Sequence, residues 1–211
     1  MRIDFCDRGV VSRLALGALA LLLCLARPAA ASEMTAPIEQ LDAGLLQVMK
    51  AGKSAPFRQR YDVLAPLVTR AIDLDAILEG GVGPVWASLS AADQAALKTE
   101  FQHYSIATYV ANFDEFGGEK FELYPPAAGG NPVVKVKIVP GKPEDEMHVL
   151  GYVMRQTGGK WKAIDVTADN SISQVVAQQE EIRALVKSGG PAGLFVRLQQ
   201  KTAELSGGAV K

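Results

Sequence analysis

Cysteine is nearly absent from this chain: Cys6 and Cys24 are the only two, both ahead of Leu25. If that leader is removed, what remains has no disulfide and no thiol nucleophile. Histidine is just as sparse, with His103 on an expected helix and His148 on an expected strand, and neither has a Glu or Cys at metal-ligand spacing. No metal site and no cofactor site is legible, and both histidines read as polar surface or satisfied core. No Gly-x-Ser-x-Gly occurs, which removes the hydrolase elbow. Gly80-Gly81-Val82-Gly83 lacks the Lys-Ser/Thr of a phosphate loop and follows no strand, so it reads as a connection between helices.

Long apolar runs are missing too, apart from the 12 residues Leu14–Leu25. That run is short for a membrane span, which needs about 20 residues. With Arg2, Arg8 and Arg13 before it and Ala29-Ala30-Ala31 after it, residues 1–31 read as a secretory signal peptide. Cys24 follows Leu21-Leu22-Leu23 rather than the small residues usual before a lipidated cysteine. Beyond residue 31, 18 basic residues stand against 21 acidic ones, a net charge near −3 that gives no electrostatic reason to expect nucleic acid. Residues 32–211 are the right length for one domain that buries a core without staples.

What is present is a change of period. Thr35–Lys50, a segment carrying Phe57 to Ile72 capped by Ser54, a short piece Asp73–Glu79, and a long segment from Ser90 to Phe116 all show helical spacing. The last has apolar residues around more of its cylinder than one core-facing stripe requires, so it is expected to be covered on two sides. After Gly118 the period becomes two. Phe121–Tyr124, Val133–Val139, Met147–Arg155 and Trp161–Val166 read as four strands of an antiparallel meander, with Gly151 as a bend. Two helices, separated at Gly190-Pro191, close an α+β chain, with Ser171 capping the first of them and Asp169-Asn170 forming a turn.

Asp165 is the one carboxylate in this region that invites a chemical reading. Alternation puts it on the face of Trp161, and helices over a curved sheet can make a conical pocket in which a buried acid acts as a general base. No partner acid, histidine or metal motif goes with it. A hydrogen-bonding role at the strand end is the simpler assignment.

Taken in order, Arg60-Tyr61, Asp73-Leu74, Val82-Gly83-x-x-Trp86, Phe101, Tyr109, Tyr152, Trp161-Lys162-x-Ile164-Asp165-Val166 and Ile172-Ser173 resemble the MlaC or toluene-tolerance family of periplasmic lipid-binding proteins. Val153-Met154-Arg155 and Phe116-Gly117-Gly118-Glu119 resemble its hopanoid-associated HpnM branch. The chain departs from the common pattern at Ser171, Gln179 and Ile182. The resemblance implies helices on a curved antiparallel sheet of about four strands, akin to an NTF2-like cone with an apolar cavity. It also implies a non-enzymatic, exported periplasmic carrier that shuttles a hopanoid or phospholipid between inner and outer membranes, docking transiently to membrane-bound transport machinery. An NTF2-like enzyme using Asp165, or an adaptor with a filled core, are the alternatives. On the carrier reading the cavity is expected to be walled by Leu67, Val68, Ile72, Leu78, Val82 and Trp86; by Phe101, Ile106, Tyr109, Val110 and Phe113; and by Val134, Val136, Tyr152, Met154, Trp161 and Ile164.

Overall fold

The computed structural model describes residues 27–126, 132–169 and 172–210. The expected signal peptide lies outside them except for the stretch from Arg27, and so do Asn170 and the expected Ser171 cap. Helix α1 (Arg27–Ala51) buries the row Ile38, Leu41, Leu45 and Val48, and α2 (Phe57–Ala71) faces it with Leu64, Val68 and Ala71. These rows follow the i, i+3, i+4 spacing that sets one stripe toward a core. Ser54 does not cap α2. Its hydroxyl donates to the Ala51 carbonyl at 2.7 Å within a 3-10 turn, and Pro56 takes the capping position without a side-chain bond.

Helix α3 (Leu74–Val82) starts at Asp73, whose carboxylate accepts from the Ala76 amide at 3.3 Å. Helix α4 (Ala91–Asn112) starts at Ser90, which accepts from the Asp93 amide at 3.1 Å while its hydroxyl donates to the Asp93 carboxylate at 2.6 Å. A polar side chain here satisfies amides that have no partner within the helix. Helix α4 ends before Phe116, because Phe113 leaves helical geometry and Lys53 holds the following Asp114 and Glu115 at 3.4 and 2.7 Å. It packs on α2 along one flank and on α5 along the other, as its broad apolar surface requires.

The sheet is an antiparallel meander of β1 (Lys120–Tyr124), β2 (Val133–Val139), β3 (His148–Thr157) and β4 (Lys160–Ala168), extended by the two-residue β5 (Ile172–Ser173). Its bend is not at Gly151. Val153 pairs with Asp165 and Met154 with Ala163, so Ile164 is the extra residue of a β-bulge. Gly151 serves a close approach instead: a Cβ there would lie 2.6 Å from the Thr167 hydroxyl.

Helix α5 (Gln174–Ser206) is one helix broken in two at Gly190 (φ 65°, ψ −174°), and Ser173 caps it by accepting from the Val176 amide at 2.9 Å. Its first leg lies against α3 through two glycines. A Cβ on Gly81 would sit 2.9 Å from Ile182 Cβ. We expect Gly81→Ala to lower stability by about 1–3 kcal/mol through this overpacking, measurable as a shift in urea midpoint.

Asp73 ties the helical layer to the sheet. Its amide donates to the Ala163 carbonyl at 2.9 Å, and its buried carboxylate accepts from Thr157 Oγ1 at 2.7 Å and Arg155 Nη2 at 3.4 Å. Burial alone would raise its pKa, but the hydrogen bonds from Thr157, the Ala76 amide and Arg155, with Lys162 nearby, hold it below the ordinary value. A carboxyl depressed in the folded state stabilises above its unfolded pKa and loses that contribution as pH falls through the folded one. Asp73→Ala should therefore cost about 2–4 kcal/mol at pH 7 in urea unfolding, with a smaller loss in acid.

A candidate lipid cavity

Between α4, the first leg of α5 and the inner face of β3 and β4 lies an open-sided cavity of about 570 Å³. Helix α4 contributes Tyr104, Ser105, Thr108, Tyr109 and Asn112, with Phe113 just past its end. The sheet contributes Leu150, Tyr152, Val166 and Ala168, the segment around the start of α3 contributes Ile72, Leu74 and Ile77, and α5 contributes Val175, Ala177 and Gln178. Phe113 stacks on Tyr109 at 6.2 Å and meets Phe121 edge-on at 6.4 Å, so an aromatic wall joins α4 to β1.

Of the residues expected to wall a cavity, the structure brings four together there: Ile72, Tyr109, Phe113 and Tyr152. Val68, Leu78, Val82, Phe101, Ile106, Val110, Val134, Val136 and Met154 are buried in the continuous core, and Leu67, Trp86 and Trp161 are half-buried against it. Ile164 sits half-buried at the bulge. Most of the expected apolar side chains close the core, while a mixture of aromatic, aliphatic and polar ones faces the open space.

The bulge also settles where Asp165 lies. Ala163, Val166 and Ala168 carry the inner face past the extra residue, which moves Asp165 off the cavity wall. Its Oδ1 accepts from the Val166 amide and from Ser173 Oγ, each at 2.7 Å, and so links the strand to the capping residue of α5. His103 packs edge-on to Tyr61 with centroids 6.4 Å apart, and His148 Nδ1 lies 3.2 Å from Asp169. Among the described residues no three His, Cys, Asp or Glu side chains are grouped to hold a metal.

No Lys, Arg or His among the described residues lines the cavity; Glu181 does, and it is paired with Lys201. Asp42 on α1 is 7% exposed, and its Oδ1 has no hydrogen-bond partner. Burial first, and then the charge of Glu39, pushes its carboxyl up to about 7. Burial, with Asp42 adding to it, pushes the Tyr109 hydroxyl up to about 12. Burial raises the Tyr152 hydroxyl well above its ordinary value, with Tyr109 and Asp42 adding to it.

Helices laid on an open antiparallel sheet, with a mostly apolar cavity held between them, make up an α+β fold. The model of the MlaC protein family matches residues 39–200, more than half of the chain, and the chain belongs to that family. A solved phospholipid-binding protein from Ralstonia solanacearum, in complex with a phospholipid, is 16% identical with a TM-score of 0.66, covering 84% of this chain and 98% of its own. That likeness shows a shared fold. No curated protein sequence gives a significant match.

Proposed function

We propose that this chain is an exported periplasmic carrier that holds one lipid in the cavity between α4, α5 and the sheet, and shuttles it between the inner and outer membranes. The observation that carries this is the cavity itself, in a member of the MlaC family whose fold is shared with a phospholipid-binding protein. Its 570 Å³ fall within the range of roughly 300–1,000 Å³ typical of small-molecule sites. A lipid burying roughly 400 Å² of apolar surface gains on the order of 10 kcal/mol before ordering costs, so binding needs no charged anchor. The missing basic lining is consistent with this.

The bound lipid is a hopanoid or a phospholipid, the former suggested by the HpnM-like segments Val153-Met154-Arg155 and Phe116-Gly117-Gly118-Glu119. Loading and unloading occur by transient docking to membrane-bound transport machinery, and the chain is not an enzyme. Among the described residues no helix is long and apolar enough to cross a membrane, in keeping with a carrier that leaves the bilayer. The test is native mass spectrometry of protein exported to the periplasm and purified without detergent. A stoichiometric lipid adduct is expected; protein that is lipid-free in every preparation would overturn the reading.

A further inference from the structure

The two legs of α5 fold back on each other. Glu181 on the first leg pairs with Lys201 on the second, which runs on from Pro191. They are 20 residues apart in sequence, which in an unbroken helix would be about 30 Å. The Lys201 ammonium also lies 5.5 Å from the centroid of the Tyr104 ring on α4. Between the legs is a crevice lined by Ile182, Leu185, Leu194 and Leu198, with only about 10 Å³ of it empty, roughly the room of a single water. Tyr104, Gln178 and Glu181 line both this crevice and the larger cavity, so the ion pair beside the tyrosine stands in the partition between the two.

Little fixes the angle of the legs at the bend itself. Gly190 takes a positive φ that glycine adopts at little cost. Gly189 has ordinary helical geometry, and a Cβ on it would meet nothing within 4 Å, so no close approach calls for glycine there. The pair of glycines leaves the bend without side-chain contacts and adds backbone freedom. Farther along, the Glu181 side chain is 48% exposed, and ion pairs in contact with solvent hold weakly.

Resting on the reading of the larger cavity as a lipid site, we propose that the legs of α5 part about Gly189-Gly190, releasing Lys201 from Glu181 and Tyr104, and that the crevice then joins the cavity as a compartment for hydrocarbon too wide for a single extended chain. That bulk is a second acyl chain or a fused-ring body. Without ligand, parting would bring Ile182, Leu194 and Leu198, each 3% exposed or less, into water, so the legs stay closed. A broad lipid covers the same side chains with hydrocarbon and removes that cost. A slender one fits beside the closed legs and gains nothing from opening. A ligand shifts a two-state equilibrium only by binding one state better, and here its width decides which.

The test locks the legs. Both native cysteines precede Leu25, so in protein exported and freed of its leader a short, reducible bis-methanethiosulfonate joins only the pair introduced by Glu181→Cys with Lys201→Cys. Displacement of an anthroyloxy-labelled stearate from delipidated protein is measured with three probes below their micelle-forming concentrations. Lauroyl-lysophosphatidylcholine has one chain, dioctanoylphosphatidylcholine has the same headgroup and two chains, and deoxycholate has a fused-ring body. Crosslinking should leave the one-chain affinity within about threefold and weaken one or both broad probes by about tenfold or more, with recovery on reduction. Which broad probe weakens identifies the bulk that the crevice takes. Lys201→Gln, which breaks the pair without a lock, should tighten the same broad probe by about twofold to fivefold. Unchanged affinities after crosslinking would overturn the proposal, and so would an equal loss for all three probes, or a reduced protein that takes the one-chain probe and neither broad one. If the lock does not form, Lys201→Gln decides alone, and an unchanged ratio of broad to one-chain affinity overturns the proposal. If the labelled stearate binds no form of the protein, the carrier reading falls, and this inference with it.

Discussion

Ala168→Trp is expected to empty the protein of lipid without unfolding it. Ala168 ends β4 opposite Leu150, and both line the cavity, so an indole there projects into open space and not into packed side chains. Retained lipid should fall at least tenfold while stability changes by less than about 1 kcal/mol, because little existing packing is displaced. The companion change is Val110→Trp. Val110 is fully buried in the core, on α4 next to the cavity residue Tyr109. An indole there should cost about 1–3 kcal/mol or more through strain, whatever it does to lipid. Lipid content by mass spectrometry and thermal midpoints on both variants separate cavity from core.

Asp42→Asn is expected to change how stability depends on pH. In the folded state the Asp42 carboxyl sits at about 7, against an ordinary 3.8. Between those values the folded state holds a proton that the unfolded state has released, so stability falls as pH rises through this window and is lowest above pH 7. The full swing is about 4 kcal/mol. The asparagine variant cannot ionise and should lose this slope. It should be more stable than wild type at pH 8, by up to about 4 kcal/mol less whatever the unpaired amide costs, and the gap should close by pH 4. Urea titrations of both proteins across that range measure it.

Much of the architecture was legible because it rests on local signals. The change of period after Gly118 located the sheet, and two strong punctuation marks, Ser90 and Gly190-Pro191, fell where elements start or break. The two-sided apolar surface of α4 gave its central position. Besides the early end of α4 at Asn112, two local assignments failed for identifiable reasons. Ser54 has the chemistry of a cap, but a 3-10 turn captured its hydroxyl, and Gly151 looked like a bend when it was only making room for Thr167.

The cavity was legible only in part. Apolar bulk is the signal a sequence offers, and bulk such as Phe101, Ile106 and Met154 went to closing the core. The wall is made by residues with weaker signals: the Tyr104, Thr108, Asn112 row at helical spacing on α4, and Val175, Ala177 and Gln178 on α5. A half-polar row beside a buried one on the same helix is the pattern that would have found them. The bulge at Ile164 was invisible to an alternation rule, and it is what takes Asp165 off the inner face. Asp42 was hidden because it falls in an apolar helical row, where its type argues for the surface and its position for the core.

The central claim is that lipid occupies the space between α4, α5 and the sheet, and photo-crosslinking tests it most directly. A benzophenone amino acid placed at Thr108, inside the cavity, and another at the exposed Val196 would be irradiated in protein carrying its native lipid. The account predicts a covalent lipid adduct from Thr108 and none from Val196. Lipid present in the sample but never crosslinked at Thr108, or crosslinked equally at Val196, would contradict it.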